Sequence, residues 1–155
     1  HYNDPDMLEV GNGKLSYNQN VSHFTLWCMM NAPLILGNDL RNMSDQVKSI
    51  VTNRNMIAIN QDPLAKQAKR VRKGAVDVLA KPLADGSVAV CFFNKTSHAK
   101  SCKFDLNSLA NDEYVAMQKK SEYSLKEQWS GQIATTDGKV NAVLEKHQTK
   151  VFIVK

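Results

Sequence analysis

No stretch of this 155-residue sequence is apolar for long enough to cross a bilayer. The longest apolar run, Ala32-Pro33-Leu34-Ile35-Leu36, has the length of a buried strand. Cysteine is scarce: Cys28, Cys91 and Cys102 are too few and too scattered for a structural zinc site. There is no glycine-rich phosphate loop, no serine–histidine–aspartate order, no internal repeat and no low-complexity segment. His23 and His147 stand alone, without partners at ligand spacing, so neither is read as a metal ligand and no cofactor is expected. The chain has no start methionine and no visible signal peptide. Opening on His1, it reads as beginning inside a longer chain, so the missing signal says nothing about export.

What is present is the composition of a folded chain, 43% hydrophobic with a net charge of +5. Basic residues crowd into Lys66–Lys73. No aromatics are interleaved and no recognition motif surrounds them, so this is read as a solvated linker or a lysine-blunted edge strand and not as a nucleic-acid patch. Three sequons begin at Asn20, Asn42 and Asn94, and matter only in a eukaryotic secreted protein.

The chain divides near residue 65. Before it, Ser16 and Gln19 form a capping box for a helix reaching about Asn31, with Tyr17, Val21, Phe24 and Cys28 at helical spacing. Leu34-Ile35-Leu36 reads as a fully buried parallel strand, Gly37-Asn38-Asp39 as the turn at its carboxyl end, and Ser44 as the cap of a second helix. Helix, buried strand, turn and helix make the repeating unit of an α/β barrel, which keeps its chemistry at the carboxyl ends of its strands. After residue 65, strands are predicted over 76–83, 87–94, 99–106, 113–118, 124–129, 139–144 and 149–154, the spacing of an antiparallel sandwich. A four-residue loop, 95–98, places Cys91 opposite Cys102 in a hairpin, either bonded or, preferably, as two reduced thiols. Trp27, Met29 and Met30 are read as core. Trp129 is read as packing between sheets in preference to stacking on a sugar.

The chemistry-bearing motif is at the start. Asp4 and Asp6 flank Pro5, where the chain must turn. Paired carboxylates invite acid–base work on sugars, yet these two are not read as the facing acid and nucleophile of a glycosidase; at most one looks into a site. Residues 1–13, HYNDPDMLEVGNG, closely resemble the Trp-Asn-Asp-Pro-Asp-Met-Leu segment of the α-galactosidases of glycoside hydrolase family 27. Three more stretches match in order: His23-Phe24-Thr25-Leu26-Trp27, residues 32–41 (APLILGNDLR) and residues 57–64 (IAINQDPL). Tyr2 stands where many members carry tryptophan, and Ala65 replaces the usual glycine after Pro-Leu, which implies a less open turn.

The resemblance implies the last units of a (β/α)8 barrel over 1–65, then a carboxy-terminal antiparallel β-sandwich over 66–155. It implies retaining hydrolysis of terminal α-galactosides by two aspartates from strands upstream of this segment, so that no catalytic residue lies in this chain and the chain alone is inactive. Asp6 and Met7 fall where the family lines its galactose pocket. Asp4 would brace the turn, and Asn38, Asp39 and Arg41 would sit on the last barrel loop, with a buried Asp–Arg pair fixing it. The implied partners are α-galactoside sugars, with neither nucleic acid nor membrane. The alternative is a non-catalytic carbohydrate-binding or structural sandwich module.

Overall fold

The computed structural model describes residues 4–155, so the substitution at Tyr2 lies outside the described residues. Helices occupy the first part and strands the second. Helix α1 spans Tyr17–Met29 and opens on the capping box: Gln19 N–H donates to Ser16 Oγ at 3.2 Å, and Ser16 N–H donates to Gln19 Oε1 at 2.8 Å. Each group satisfies a donor that the first helical turn leaves free. Helix α2, Asp45–Val51, is capped by Ser44, and a third helix, α3, Arg54–Asn60, by Asn53, whose Oδ1 accepts the Met56 N–H. The sequence reading did not separate α3 from α2.

Eight strands follow: β1 Lys69–Arg72, β2 Val76–Pro82, β3 Val88–Asn94, β4 Lys100–Asp105, β5 Tyr123–Glu127, β6 Ile133–Thr136, β7 Lys139–Leu144 and β8 Thr149–Val154. They form a six-stranded sheet, β1-β2-β3-β8-β5-β6, and a two-stranded sheet, β4-β7, with every named pairing antiparallel. The two sheets enclose one core, built from Val76, Val78, Ala80, Val88, Val90 and Phe92 on one side and Cys102, Phe104, Ala142 and Leu144 on the other. The opposite face of the large sheet presents Leu79, Ala89, Cys91, Val151 and Ile153 to the helices, where they join Leu8, Phe24, Cys28, Ile50 and Met56 in a second core. The central strands β2 and β3 are therefore covered on both faces; β3 is apolar up to Asn94, whereas β2 carries Asp77 and Lys81. Buried apolar surface on both sides of one sheet is what joins the helical part to the strands.

Four predicted elements differ. β3 and β4 do not form a hairpin: β3 pairs with β2 and β8, and β4 with β7. Asn94 diverts the chain between sheets, its Nδ2 donating to the carbonyls of His98 (2.8 Å) and Glu145 (2.9 Å). Cys91 thus points into the helix-side core and Cys102 between the sheets, and both are free and buried. The strand predicted over 113–118 is a turn: Asp112 Oδ1 accepts the N–H groups of Tyr114 and Val115, and Ala116 takes a φ of 46°. Its apolar residues Val115 and Met117 still reach the core. The fully buried strand at Leu34–Leu36 is reduced to a single parallel bridge, Leu8 with Leu36, and Ile35 is 56% exposed. A parallel strand is buried only with neighbours on both sides, and among the described residues this one has one. Finally, Ala65 does not close the turn. It holds a φ of 53°, the left-handed geometry that glycine favours.

Candidate functional site

Two segments lie side by side in parallel. Leu8 N–H donates to Ile35 O at 2.7 Å and Gly37 N–H to Leu8 O at 2.8 Å. A Cβ on Gly37 would stand 3.1 Å from Leu8 O and 3.2 Å from Met7 Cβ, so glycine is what permits this approach. Asn12 Nδ2 ties the pair further, donating to the Glu9 carboxylate and to Gly37 O.

Asp6 and Met7 enter this pair from one segment, and Asn38 and Asp39 leave it on the other. All of Asp4, Asp6 and Met7 are exposed, Met7 by 47%. Residues two apart on a regular strand share a face. Here Asp6 has a φ of 82°, which breaks the strand geometry between the two carboxylates. Asp4 Oδ1 turns onto the Asp6 N–H at 3.2 Å, and Asp6 Oδ1 takes the Met7 N–H at 2.7 Å. Each carboxylate keeps an oxygen for other partners, a hydrogen-bonding wall beside the apolar Met7 side chain.

Asp39 caps a short 3₁₀ turn, Leu40–Asn42, by accepting the Arg41 N–H at 2.9 Å. The Arg41 guanidinium also binds it, Nε to Oδ1 at 3.0 Å, and together these hold the Asp39 carboxyl below its usual range. The predicted pair is thus present, but it is not buried: the Arg41 side chain is 89% exposed and that of Asp39 45%. It orders a surface turn in water, where such pairs stabilise little. Asn38 Oδ1 is buried without a protein partner.

Two residues on α1 reach the motif, a contact the sequence does not disclose, although Trp27 also packs against the helix-side core as expected. His23 Nε2 accepts the Glu9 N–H at 2.8 Å, and Trp27 Nε1–H donates to Asp6 O at 3.1 Å. Their rings meet edge to face, centroids 4.1 Å apart. Partial burial lowers the His23 pKa, opposed in part by the Glu9 charge. The signal available in the sequence was their spacing of four, which puts both on one helix face. Trp129 also faces α1 and not the gap between the sheets: it lies edge-on to Phe24 and donates to Thr25 Oγ1 at 3.0 Å. Among the described residues no cluster of histidine, cysteine, aspartate and glutamate could hold a metal ion, and no helix is long and apolar enough to cross a membrane.

Known proteins share this fold. The family described as "Alpha galactosidase A" matches residues 1–62, and the "Alpha galactosidase C-terminal beta sandwich domain" matches residues 73–154. The chain is 38% identical to alpha-galactosidase A of Cellvibrio japonicus over 98% of its own length and 39% of that protein's. It is 34% identical to an alpha-galactosidase of Oryza sativa, covering 99% of this chain and 36% of the relative. The crystal structure of alpha-galactosidase I from Mortierella vinacea superposes with a TM-score of 0.90 at 26% identity, over 99% of this chain and 39% of that one. The chain therefore spans under two fifths of the length of these curated relatives. With one family match over the helical part and the second over most of the strands, in the same order, the chain belongs to the α-galactosidases of glycoside hydrolase family 27.

Proposed function

We propose that this chain is the carboxy-terminal part of a retaining α-galactosidase that releases terminal α-linked galactose from oligosaccharides or glycoconjugates. Residues 1–65 supply the last units of a (β/α)8 barrel, and residues 66–155 the sandwich that packs against them. The observation that carries this reading is the parallel pair at Leu8 and Leu36, with Asp6 and Met7 at one edge of it, inside the first family match and followed by the second. Asp6 lines the galactose pocket and accepts hydrogen bonds from sugar hydroxyls, while Met7 offers the sugar ring an apolar surface. Asp4 braces the turn through its bond to the Asp6 N–H. Asn38, Asp39 and Arg41 order the neighbouring loop.

Retention needs a nucleophilic carboxylate and a second carboxyl that acts as acid and then as base. Both come from upstream strands, so the chain alone does not turn over. The exposed apolar side chains of Ile35 and Leu40 are the surface the remaining barrel covers, and the isolated chain is accordingly poorly soluble. The rival sandwich-module reading needs an aromatic platform, and Trp129 is turned inward onto Phe24 and Thr25.

The test is an aryl α-galactoside assay on two proteins. The pure 155-residue chain should show no turnover. The full-length protein carrying its upstream sequence should hydrolyse the substrate with retention, read from the first-formed anomer by NMR. Turnover by the chain, or none by the full-length protein, overturns the proposal.

A further inference from the structure

Asp6 adopts a left-handed backbone, φ 82°, that a non-glycine residue keeps only where its surroundings hold it. The holding groups come from α1. Trp27 Nε1–H binds the Asp6 carbonyl (3.1 Å), and His23 Nε2 binds the Glu9 N–H (2.8 Å). The two residues lie one helical turn apart with rings in edge-to-face contact, and their bonds bracket Met7 and Leu8 from both sides. We infer that His23 and Trp27 are positioning residues, a clamp that holds Asp6 and Met7 in the geometry of the sugar pocket. The inference rests on the pocket reading of Asp6 and Met7 given above.

The clamp depends on protonation. To accept the Glu9 N–H, Nε2 must be bare, so the proton of the neutral imidazole sits on Nδ1. A protonated His23 would present N–H to N–H, and the bond would be lost. Glu9, whose carboxylate is bound by Asn12, and His147 are the titratable groups sharing the groove. Glu9 favours the imidazolium and burial opposes it, with burial the larger. His23 therefore stays an acceptor to below the ordinary histidine value of about 6.5, and the clamp opens only in acid.

Nitrogen-15 NMR of the full-length protein, with labelled histidine, aspartate and glutamate, tests the clamp itself. The His23 signals should show an Nδ1–H tautomer, and the Asp6 and Glu9 amide resonances should shift with the imidazole's midpoint, below about 6.5. An Nε2–H tautomer, or amides that ignore the titration, overturns the inference. Steady-state kinetics of the full-length enzyme test its consequence. Asp6→Ala and Met7→Ala should raise KM; if they do not, the pocket reading fails and the inference falls with it. Given that rise, His23→Leu and Trp27→Phe should each raise KM by about five-fold or more, the effect of losing one hydrogen bond, with kcat less changed. His23→Gln keeps an acceptor oxygen that does not titrate. It should restore KM and abolish its rise in acid, and it keeps the test informative where His23→Leu fails to fold. A KM rise in Asp6→Ala with unchanged KM in His23→Leu and Trp27→Phe leaves the pocket reading standing and removes the clamp.

Discussion

The Trp129 indole N–H donates to Thr25 Oγ1 at 3.0 Å, joining the end of β5 to the middle of α1 across 104 residues. Thr25 is fully buried, and its hydroxyl also lies 3.4 Å from that of Thr149 on β8. The same seam is bridged by Ser22 Oγ, which donates to His147 O. Helix and sheet are therefore fixed by placed hydrogen bonds as well as by the apolar core around Phe24 and Cys91.

Truncating that contact should loosen the seam. Trp129→Ala removes the ring from Phe24 as well as the bond to Thr25, and should cost about 3–5 kcal/mol. Trp129→Phe keeps most of the packing and should cost about 1–2 kcal/mol, chiefly for the lost hydrogen bond. Chemical denaturation followed by circular dichroism reads both. A Trp129→Phe midpoint equal to that of the wild type would show that the indole N–H contributes nothing.

Asn94 should prove one of the most sensitive polar positions in the strands. Its side chain has no exposed surface, and its Oδ1 accepts both the N–H and the hydroxyl of Thr96 (3.0 and 2.8 Å). With its donations to His98 and Glu145, Asn94→Ala removes four part-buried hydrogen bonds at once, at a cost of about 3 kcal/mol. The same burial closes the sequon at Asn94, since a glycan there would have to displace those bonds. Asn20 is 5% exposed, and its Oδ1 accepts the Gly11 N–H. Of the three sequons only Asn42 is exposed. Expression through a eukaryotic secretory route should yield folded protein without sugar on Asn94 or Asn20, as read by peptide mass mapping.

Lys81 on β2 is fully buried, and its ammonium has no hydrogen-bond partner in the protein. Burial lowers its pKa, opposed in part by Asp62 and by Cys28. The sign follows from proton binding. Between the lowered folded value and the ordinary lysine value of about 10.4, the unfolded chain holds the proton and the folded one does not, so stability rises with pH. Lys81→Met, of similar volume, should therefore stabilise the protein at pH 7 by about 1–3 kcal/mol and lack that alkaline rise. Denaturation midpoints from pH 7 to 10 provide the check; a parallel pH dependence in variant and wild type would refute it.

Ala65 keeps a left-handed backbone without being glycine. Relieving it should gain about 1–2 kcal/mol, while a glycine adds about 0.4–1 kcal/mol of unfolded-state entropy. Ala65→Gly should thus raise the melting temperature by a few degrees, a net gain of about 0.5–1 kcal/mol. A lower melting temperature would show that the local backbone is not strained.

Much of the fold was legible because it is local. The capping box at Ser16 and Gln19, the cap at Ser44, and the strands at 139–144 and 149–154 depend on neighbours a few residues away, and they stand where the sequence places them. β6 was missed because three of its four residues are exposed and show no apolar alternation. α3 was missed because Asn53, its cap, reads equally well as a turn.

The candidate site itself was singled out by the residues Asp-Pro-Asp-Met and their resemblance to a known family. How that segment is supported was not legible. The bonds from His23 and Trp27 span 14 and 21 residues, and nothing in the spacing of a helix face says which loop will lie against it. The same holds for the partners of β3 and β4. A strand's own residues state that it needs a neighbour but not which; Asn94 binds the carbonyls of His98 and of Glu145, the latter between β7 and β8, contacts that only the folded chain brings together. Sequence alone thus determined the caps, the alternation and the motif, because side chains a few residues apart interact wherever the chain goes. Tertiary structure alone decided the sheet partners, the inward turn of Trp129 and the clamp on Asp6, because those depend on which buried surfaces meet.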